Sequence, residues 1–280
     1  MLSDIINRML HKLAVITVVY KNYTVLQDFL SSLQNQKNKD FHLFVSDLSE
    51  KKQPVSADGI KSTIIPDENK GYSHGINLAL RQALALGYEN FCIINNDTYF
   101  EKEFIQNCLQ SIFDHPASTI GGKIYYAPGY EYHKNRYSKN DLGKIIWYAG
   151  GKIDWNHALT PHRGIDEIDR GQYDKEEETE FVNGALMLFD KTVIDKVGYW
   201  DESYFLYFED SDFCIRANKS GIKLIYDPHI TLWHKNSQST GGPGSRIHEK
   251  YQRINRLKFG LKYAPFKTKL HLIKQWLFER

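Results

Sequence analysis

Long apolar runs are missing from this 280-residue chain. The longest, Leu13 to Tyr20, falls far short of the roughly 20 residues that span a bilayer. Residues 1–12 carry Asp4 and Arg8 among apolar positions, which breaks any signal-peptide core. The expectation is a protein that is neither secreted nor membrane-spanning. Cysteine is scarce as well: Cys92, Cys108 and Cys214 are odd in number, match no zinc spacing and each sit in an apolar segment. That pattern fits small buried hydrophobes in a reducing cytosol. Net charge is only +2, so general nucleic-acid binding is not expected. No internal repeat occurs, and no Pro- or Gly-rich linker divides the chain, so its two halves are expected to share one sheet. The rest of the composition, 41% hydrophobic and 25% charged, is that of an ordinary globular protein. Charge is unevenly placed, however. Residues 246–280 hold ten Lys/Arg against two Glu, a net +8 that leaves −6 for the first 245 residues and describes a basic tail on a near-neutral body.

The first 125 residues alternate two periodicities. "LAVITVVY" (13–20), "FHLFVSD" (41–47), "KSTII" (61–65) and "FCIINN" (91–96) read as strands. Between them, Val25, Leu26, Phe29, Leu30 and Leu33 recur at helical spacing, with Thr24 and Gln27 as a capping box. "SHGINLALRQALALG" (73–87) reads as a helix closed by Gly87, and another covers roughly 101–114. Such alternation predicts a parallel sheet with helices on both faces. Further on, "GKIYY" and "KIIWYAGGKID" read as strands that turn at Gly150-Gly151, and 162–180 as a polar loop. "FVNGALMLFD" leads into a short helix ending at Gly198. "IKLIYD" and "HITLWH" read as two separate strand pieces.

In open parallel sheets ligands bind beyond the carboxyl ends of the strands. Asp47 and Asn95-Asn96-Asp97 stand at such ends, and His234 ends "HITLWH". Asn and Asp also simply favour turns. Two strand-end ligands aimed at one cleft favour a metal site instead, and imidazole with carboxylate suits Mn²⁺ better than Mg²⁺. In "EDSDFCIRANKSG", a helix starting at Glu209 puts Asp210 on the apolar face with Phe213, Cys214 and Ala217. Glu209 and Asp212 point elsewhere, where first-turn acids complement the helix dipole, and Asp212 pairs with Arg216 at i+4. A partly desolvated Asp210 at the helix mouth would have a raised pKa and the character of a general base.

"NND" (95–97), "FVNGALML" (181–188), "FLYFEDSDFCIRANKSG" (205–221) and "LWH" (232–234), in that order, resemble the motifs of family-2 inverting glycosyltransferases with the GT-A fold. "WYAGGKID" and "HRGIDEIDRGQYD" resemble the bacterial branch that includes rhamnosyl-, galactosyl- and galactofuranosyltransferase-like enzymes. The resemblance spans roughly residues 13–260. It implies an α/β fold with a mostly parallel, Rossmann-like central sheet flanked by helices, followed by a C-terminal helical extension. It also implies domain limits: 1–240 for the GT-A unit (13–97 nucleotide-binding, 98–240 acceptor and catalytic) and 241–280 for a lid loop and basic amphipathic helices. The metal motif falls on Asn95-Asn96-Asp97, with Asp97 the direct ligand because Asn95 stands where many members have an acid. His234 becomes a second ligand, and Glu209-Asp210 the catalytic pair with Asp210 as base. "VITVVY", "SDLS" and "ENKGYSHGIN" supply donor contacts from Thr17, Val19, Asp47 and Asn69, with Gly71, Gly75 and Asn77 lining the pocket. His74 and Ile76 depart from the family's smaller or polar residues there. An Asp47 carboxylate accepts the imide N–H of uracil or thymine, which favours a UDP- or dTDP-sugar.

The function implied is metal-dependent sugar transfer to a glycan acceptor, itself built on a polyprenyl carrier, in bacterial surface polysaccharide synthesis. Two other classes compete. A sugar-1-phosphate nucleotidyltransferase would carry a Gly-rich, basic loop after strand one, where this chain reads "YKNYT". A non-catalytic glycan- or nucleotide-binding subunit has no need of Asp97, Asp210 and His234 together. "SQSTGGPGSR" (237–246) reads as a lid over the diphosphate with Arg246 as a phosphate partner, or as a plain connector. In the tail, Leu270, Ile273, Leu277 and Phe278 share one helical face. Such a helix either lies on an anionic membrane or packs on the domain with its basic side in water. The expected location is the cytoplasm, with peripheral contact to the inner face of its membrane. The family's Arg-Asn pair is interrupted here, since Ile254 precedes Asn255 between Arg253 and Arg256.

Overall fold

Runs that are apolar at every position need cover on both faces, and the first strands obtain it. A computed structural model describes residues 12–133, 135–236 and 245–278. In it β1 (Leu13–Val19), β2 (Phe41–Asp47), β3 (Ser62–Pro66) and β4 (Asn90–Ile94) form a wholly parallel half-sheet. Every residue of β2 and nearly every residue of β1 is buried, as parallel strands require. Two helices connect this half, α1 (Leu26–Gln34) and α2 (Tyr72–Ala85), and α2 packs on β1 and β2. Its approach is close: a Cβ on Gly75 would stand 2.8 Å from both Val18 methyls. The capping box expected of Thr24 and Gln27 does not form. Val25 is the N-cap of α1, and the Thr24 hydroxyl turns back to donate to Asn22 Oδ1 at 2.7 Å.

The second half is mixed. β5 (Thr98–Tyr99) and α3 (Phe104–Asp114) lead to β6 (Ser118–Tyr126), β7 (Ile146–Tyr148) and β8 (Glu177–Glu178). There follow β9 (Leu186–Asp190), α4 (Lys191–Val197), α5 (Glu209–Lys219) and β10 (Lys223–His234). The strand order is β3-β2-β1-β4-β9-β6-β10-β5, with β9 antiparallel to both β4 and β6 and so joining the two halves into one sheet. The two pieces "IKLIYD" and "HITLWH" are one strand. Pro228 has no N–H to donate to a ladder, so pairing with β6 breaks at Asp227 and resumes at Thr231 around a bulge. The polar loop 162–180 is tied to the sheet by buried Lys123, which pairs with Asp169 at 2.9 Å and with Asp174.

The tail folds as α6 (Arg246–Tyr263) and α7 (Phe266–Phe278). Both helices join a second, smaller core in which Phe259 and Leu272 meet Ala158, Tyr204, Phe208 and Ile215. Burying each large side chain contributes roughly 1.5–3 kcal/mol, so the extension is docked on the domain. Its outer face remains open, with Leu270, Ile273 and Leu277 exposed by 46%, 41% and 62%. The expected lid falls mainly on residues 237–244, outside the described residues, as do residues 1–11; Arg246 opens α6. Among the described residues no helix is long and apolar enough to cross a membrane, and the three cysteines are free and buried.

Candidate active site

The carboxyl ends of β1 and β4 face a cavity of about 910 Å³. Two residues distant in sequence meet on its wall through strand pairing. β5 runs antiparallel to β10 with Thr98 opposite His234, and the Lys235 N–H donates to the Asp97 carbonyl at 2.8 Å. Asp97 Oδ1 therefore stands 3.0 Å from His234 Nε2, with both side chains buried. Yet neither ring nitrogen of His234 has an aligned hydrogen bond to a described residue. A buried imidazole without hydrogen bonds is costly, and one set against a carboxylate is a donor pair for a divalent cation. These residues fit such an ion. Among the described residues no three His, Cys, Asp or Glu side chains cluster, and Asp97 and His234 are the pair that would hold it. A diphosphate and water are the usual sources of further ligands.

Across the cavity, α5 begins at an unusual turn. Tyr207 and Phe208 both have positive φ, 67° and 68°, which costs on the order of 1–3 kcal/mol for each non-glycine residue. The turn delivers Glu209 and Asp210 to the cavity wall. Asp210 Oδ2 accepts from the Gly184 N–H at 2.9 Å and Oδ1 from its neighbour Ser211 N–H at 2.7 Å. Burial raises the Asp210 pKa against the pull of those amides. Glu209 is raised well above the usual carboxylate range, by burial first and by Asp210 second, and its Oε2 has no hydrogen bond. Asp212 is buried and bonds Arg216 Nε at 2.7 Å, as its spacing predicts. Tyr72 lies between the two sides. Its phenol is pushed well up by burial, then by the charges of Glu209, Asp210 and Asp97. That hydroxyl donates to Asn95 Oδ1 at 2.8 Å.

Eight of the residues singled out in the sequence share this cavity: Asn69, Gly71, Asn95, Asn96, Asp97, Glu209, Asp210 and His234. Asn96 Nδ2 donates to the Val18 carbonyl at 2.9 Å, locking the β4 end to β1. Thr17, Val19, Asp47, Gly75, Asn77 and Arg246 are not in its wall, which uses Val18, Tyr20 and Leu48 instead. Asp47 accepts from Tyr23 O–H at 2.7 Å and Ser49 N–H at 3.0 Å. Asn77 bonds both the carbonyl and the N–H of Trp200, tying α2 to the loop before α5. Asn255 is buried beneath the 206–207 carbonyls rather than turned to the cavity.

His162 was missed. It lies in a stretch whose polarity reads as loop, yet it lines the cavity and is held neutral by burial, with a pKa lowered to about 4. Its Nδ1 meets the Trp147 carbonyl at 3.0 Å and its Nε2 meets Asn183 Nδ2 at 2.9 Å. Nδ1 therefore carries the proton. Trp147 in turn packs edge-on against His234, with ring centroids 4.6 Å apart. Only the resemblance of "WYAGGKID" and "HRGIDEIDRGQYD" to the bacterial branch marked these segments.

Sequence comparison gives the family to which a chain with this cleft belongs. The model of glycosyl transferase family 2 matches residues 14–198, and the chain belongs to that family. The low-salt glycan biosynthesis hexosyltransferase of Haloferax volcanii is 26% identical over 221 residues, covering 77% of this chain and 64% of its own length. A dTDP-rhamnosyl transferase of Shigella flexneri is 23% identical over 195 residues, 68% of this chain and 58% of its own. The chain thus spans less than two thirds of the length of these curated relatives. A mannosyltransferase of Pyrobaculum calidifontis, solved with GDP-Man and Mn²⁺, superposes with a TM-score of 0.57 at 15% identity. That match covers 95% of this chain and 70% of its own. The architecture is the GT-A fold.

Proposed function

We propose that this protein is an inverting glycosyltransferase that moves a sugar from a nucleoside diphosphate to a glycan hydroxyl, with a divalent cation held by Asp97 and His234. The observation that carries this reading is the meeting of Asp97 and His234 across β5 and β10, in the same cavity as Asp210. When bound there, the ion supplies positive charge to the departing diphosphate. Imidazole beside carboxylate favours Mn²⁺ over Mg²⁺. Asp210, part-buried and raised in pKa, takes the proton of the attacking hydroxyl, and the Gly184 N–H keeps its far oxygen aimed. Asn69 and Gly71 border the donor side of the cavity. UDP- and dTDP-sugars are the expected donors, a dTDP-rhamnosyl transferase being among the relatives, and bacterial surface polysaccharide is the expected product.

A donor-hydrolysis screen of UDP-, dTDP- and GDP-sugars with Mn²⁺, Mg²⁺ or chelator tests this. Turnover of one donor class, lost on chelation, is the expected result. His234→Ala should raise the Mn²⁺ requirement at least about tenfold. Metal-independent turnover would refute the ion's role, and an absence of turnover with every donor would refute the enzyme.

The exposed stripe of α7, Leu270, Ile273 and Leu277 beside Lys267 and Lys274, fits an anionic membrane surface carrying a polyprenyl-linked acceptor. Co-sedimentation with vesicles containing phosphatidylserine should fall at least about tenfold for the Leu270→Glu/Ile273→Glu pair. Equal binding by this variant would remove α7 from membrane contact.

A further inference from the structure

The turn that aims Asp210 does not hold itself. Tyr207 and Phe208 occupy the left-handed region, which side chains other than glycine, asparagine and aspartate rarely adopt. The carbonyls of Leu206 and Tyr207 face α6, where one buried side chain meets them. Asn255 is 2% exposed, and its Nδ2 donates to the Leu206 carbonyl at 2.7 Å and the Tyr207 carbonyl at 3.1 Å. One amide group thus spends both hydrogens on consecutive carbonyls of the strained turn. Seven residues further along the same helix, Lys262 Nζ and Tyr263 O–H each reach Asp212 Oδ1 at 2.7 Å. Helix α6 therefore grips the segment 206–212 on both sides of Asp210.

We propose that Asn255 is a positioning residue for the Asp210 carboxylate, acting through the left-handed turn at Tyr207 and Phe208. This rests on the reading of Asp210 as the base. Asn255 touches neither donor nor acceptor. With its amide removed, the turn relaxes toward ordinary φ, the first residues of α5 rotate, and Asp210 leaves the Gly184 N–H that orients it. A displacement of about 1 Å at the reacting groups costs on the order of 10²-fold in rate. Donor affinity stays as it was, because Phe205, whose backbone backs Gly71, precedes the two carbonyls that Asn255 holds.

The decisive variants are Asn255→Ala and Asn255→Ala/Tyr207→Gly, since glycine takes positive φ without strain. Asn255→Ala should lower kcat for donor turnover about 10- to 100-fold, with Mn²⁺-dependent affinity for UDP, dTDP or GDP unchanged within about twofold by calorimetry. The double variant should recover most of the loss. Independently of turnover, amide exchange at Gly184 and Ser211 should quicken at least about fivefold in the single variant while β1 amides are unaffected. Should Asn255→Ala not fold, Asn255→Ser, with one hydrogen to give, is read the same way and should show a smaller loss. Unchanged kcat and exchange overturn the proposal, as does an equal loss of nucleotide affinity or a double variant no better than the single. A fully active Asp210→Asn would instead sink the reading of the base and leave the Asn255 exchange result standing alone.

Discussion

Asp210→Asn is expected to reduce sugar transfer about 10³-fold, the range over which a positioned base acts, while nucleotide affinity stays within about twofold. The reason is specific to this site. Asp210 accepts the Gly184 N–H with one oxygen and the Ser211 N–H with the other. Asparagine fits the same space but offers one oxygen, so its amide N–H₂ must face one of those donors. Losing that bond costs roughly 1–3 kcal/mol of stability, partly offset because Glu209 no longer sits beside a second charge. Folding therefore survives and the lost activity reflects the missing base. Single-turnover kinetics with a donor and acceptor pair, alongside calorimetric nucleotide binding, separate the two effects. Near-normal turnover by the variant would move the base elsewhere, with Glu209 the neighbouring carboxylate on the same wall.

Gly71→Ala is expected to lower the melting temperature by about 10 °C and to abolish nucleotide binding together. Gly71 has φ +107°, and a Cβ there would stand 2.5 Å from the Phe205 carbonyl oxygen and 2.8 Å from its Cα. Both are backbone atoms, so no rotamer relieves the contact. The next residue's N–H donates to that same carbonyl at 2.8 Å, and a shift large enough to admit the methyl breaks it. Strain plus a lost buried hydrogen bond comes to about 3–4 kcal/mol; at 2–4 °C per kcal/mol in a chain of this size, the shift is near 10 °C. Thermal melts with and without Mn²⁺ and nucleoside diphosphate measure both effects. A variant that melts and binds like the parent would mean that the close approach of Gly71 to Phe205 does not exist in solution.

Much of this arrangement is legible in the chain. The continuous apolar runs of β1 and β2 could only be central parallel strands, and strand ends in Asp97 and His234 could only matter together. Helical periodicity brings Asp210 to the cavity, but it turns Glu209 and Asp212 away, whereas Glu209 lines the same cavity and Asp212 is fully buried against Lys262 and Tyr263. What sequence hides is whatever depends on long-range pairing. β9 lies antiparallel between β4 and β6, an insertion that chain order does not encode. The two-residue β5 is too short to show a period, yet it sets His234 against Asp97. Parity failed at the first strand end: Val18 rather than Thr17 and Val19 reaches the cavity, because consecutive side chains point to opposite faces. Asn77 looks like a pocket residue until Trp200 is found across from it, and His162 is concealed by charged neighbours. Asn255, where the family's Arg-Asn pair is interrupted, is buried under the 206–207 turn, a contact that sequence does not show.

The β5–β10 pairing has an implication for divergence. Main-chain bonds fix the Asp97–His234 pair, whereas His162, Ile165, Asp166 and the first turns of α6 bring only side chains to the cavity. Natural variation can rewrite those side chains without touching the ladder that brings imidazole and carboxylate together. Family members should accordingly keep one geometry at that pair and many shapes in the rest of the lining.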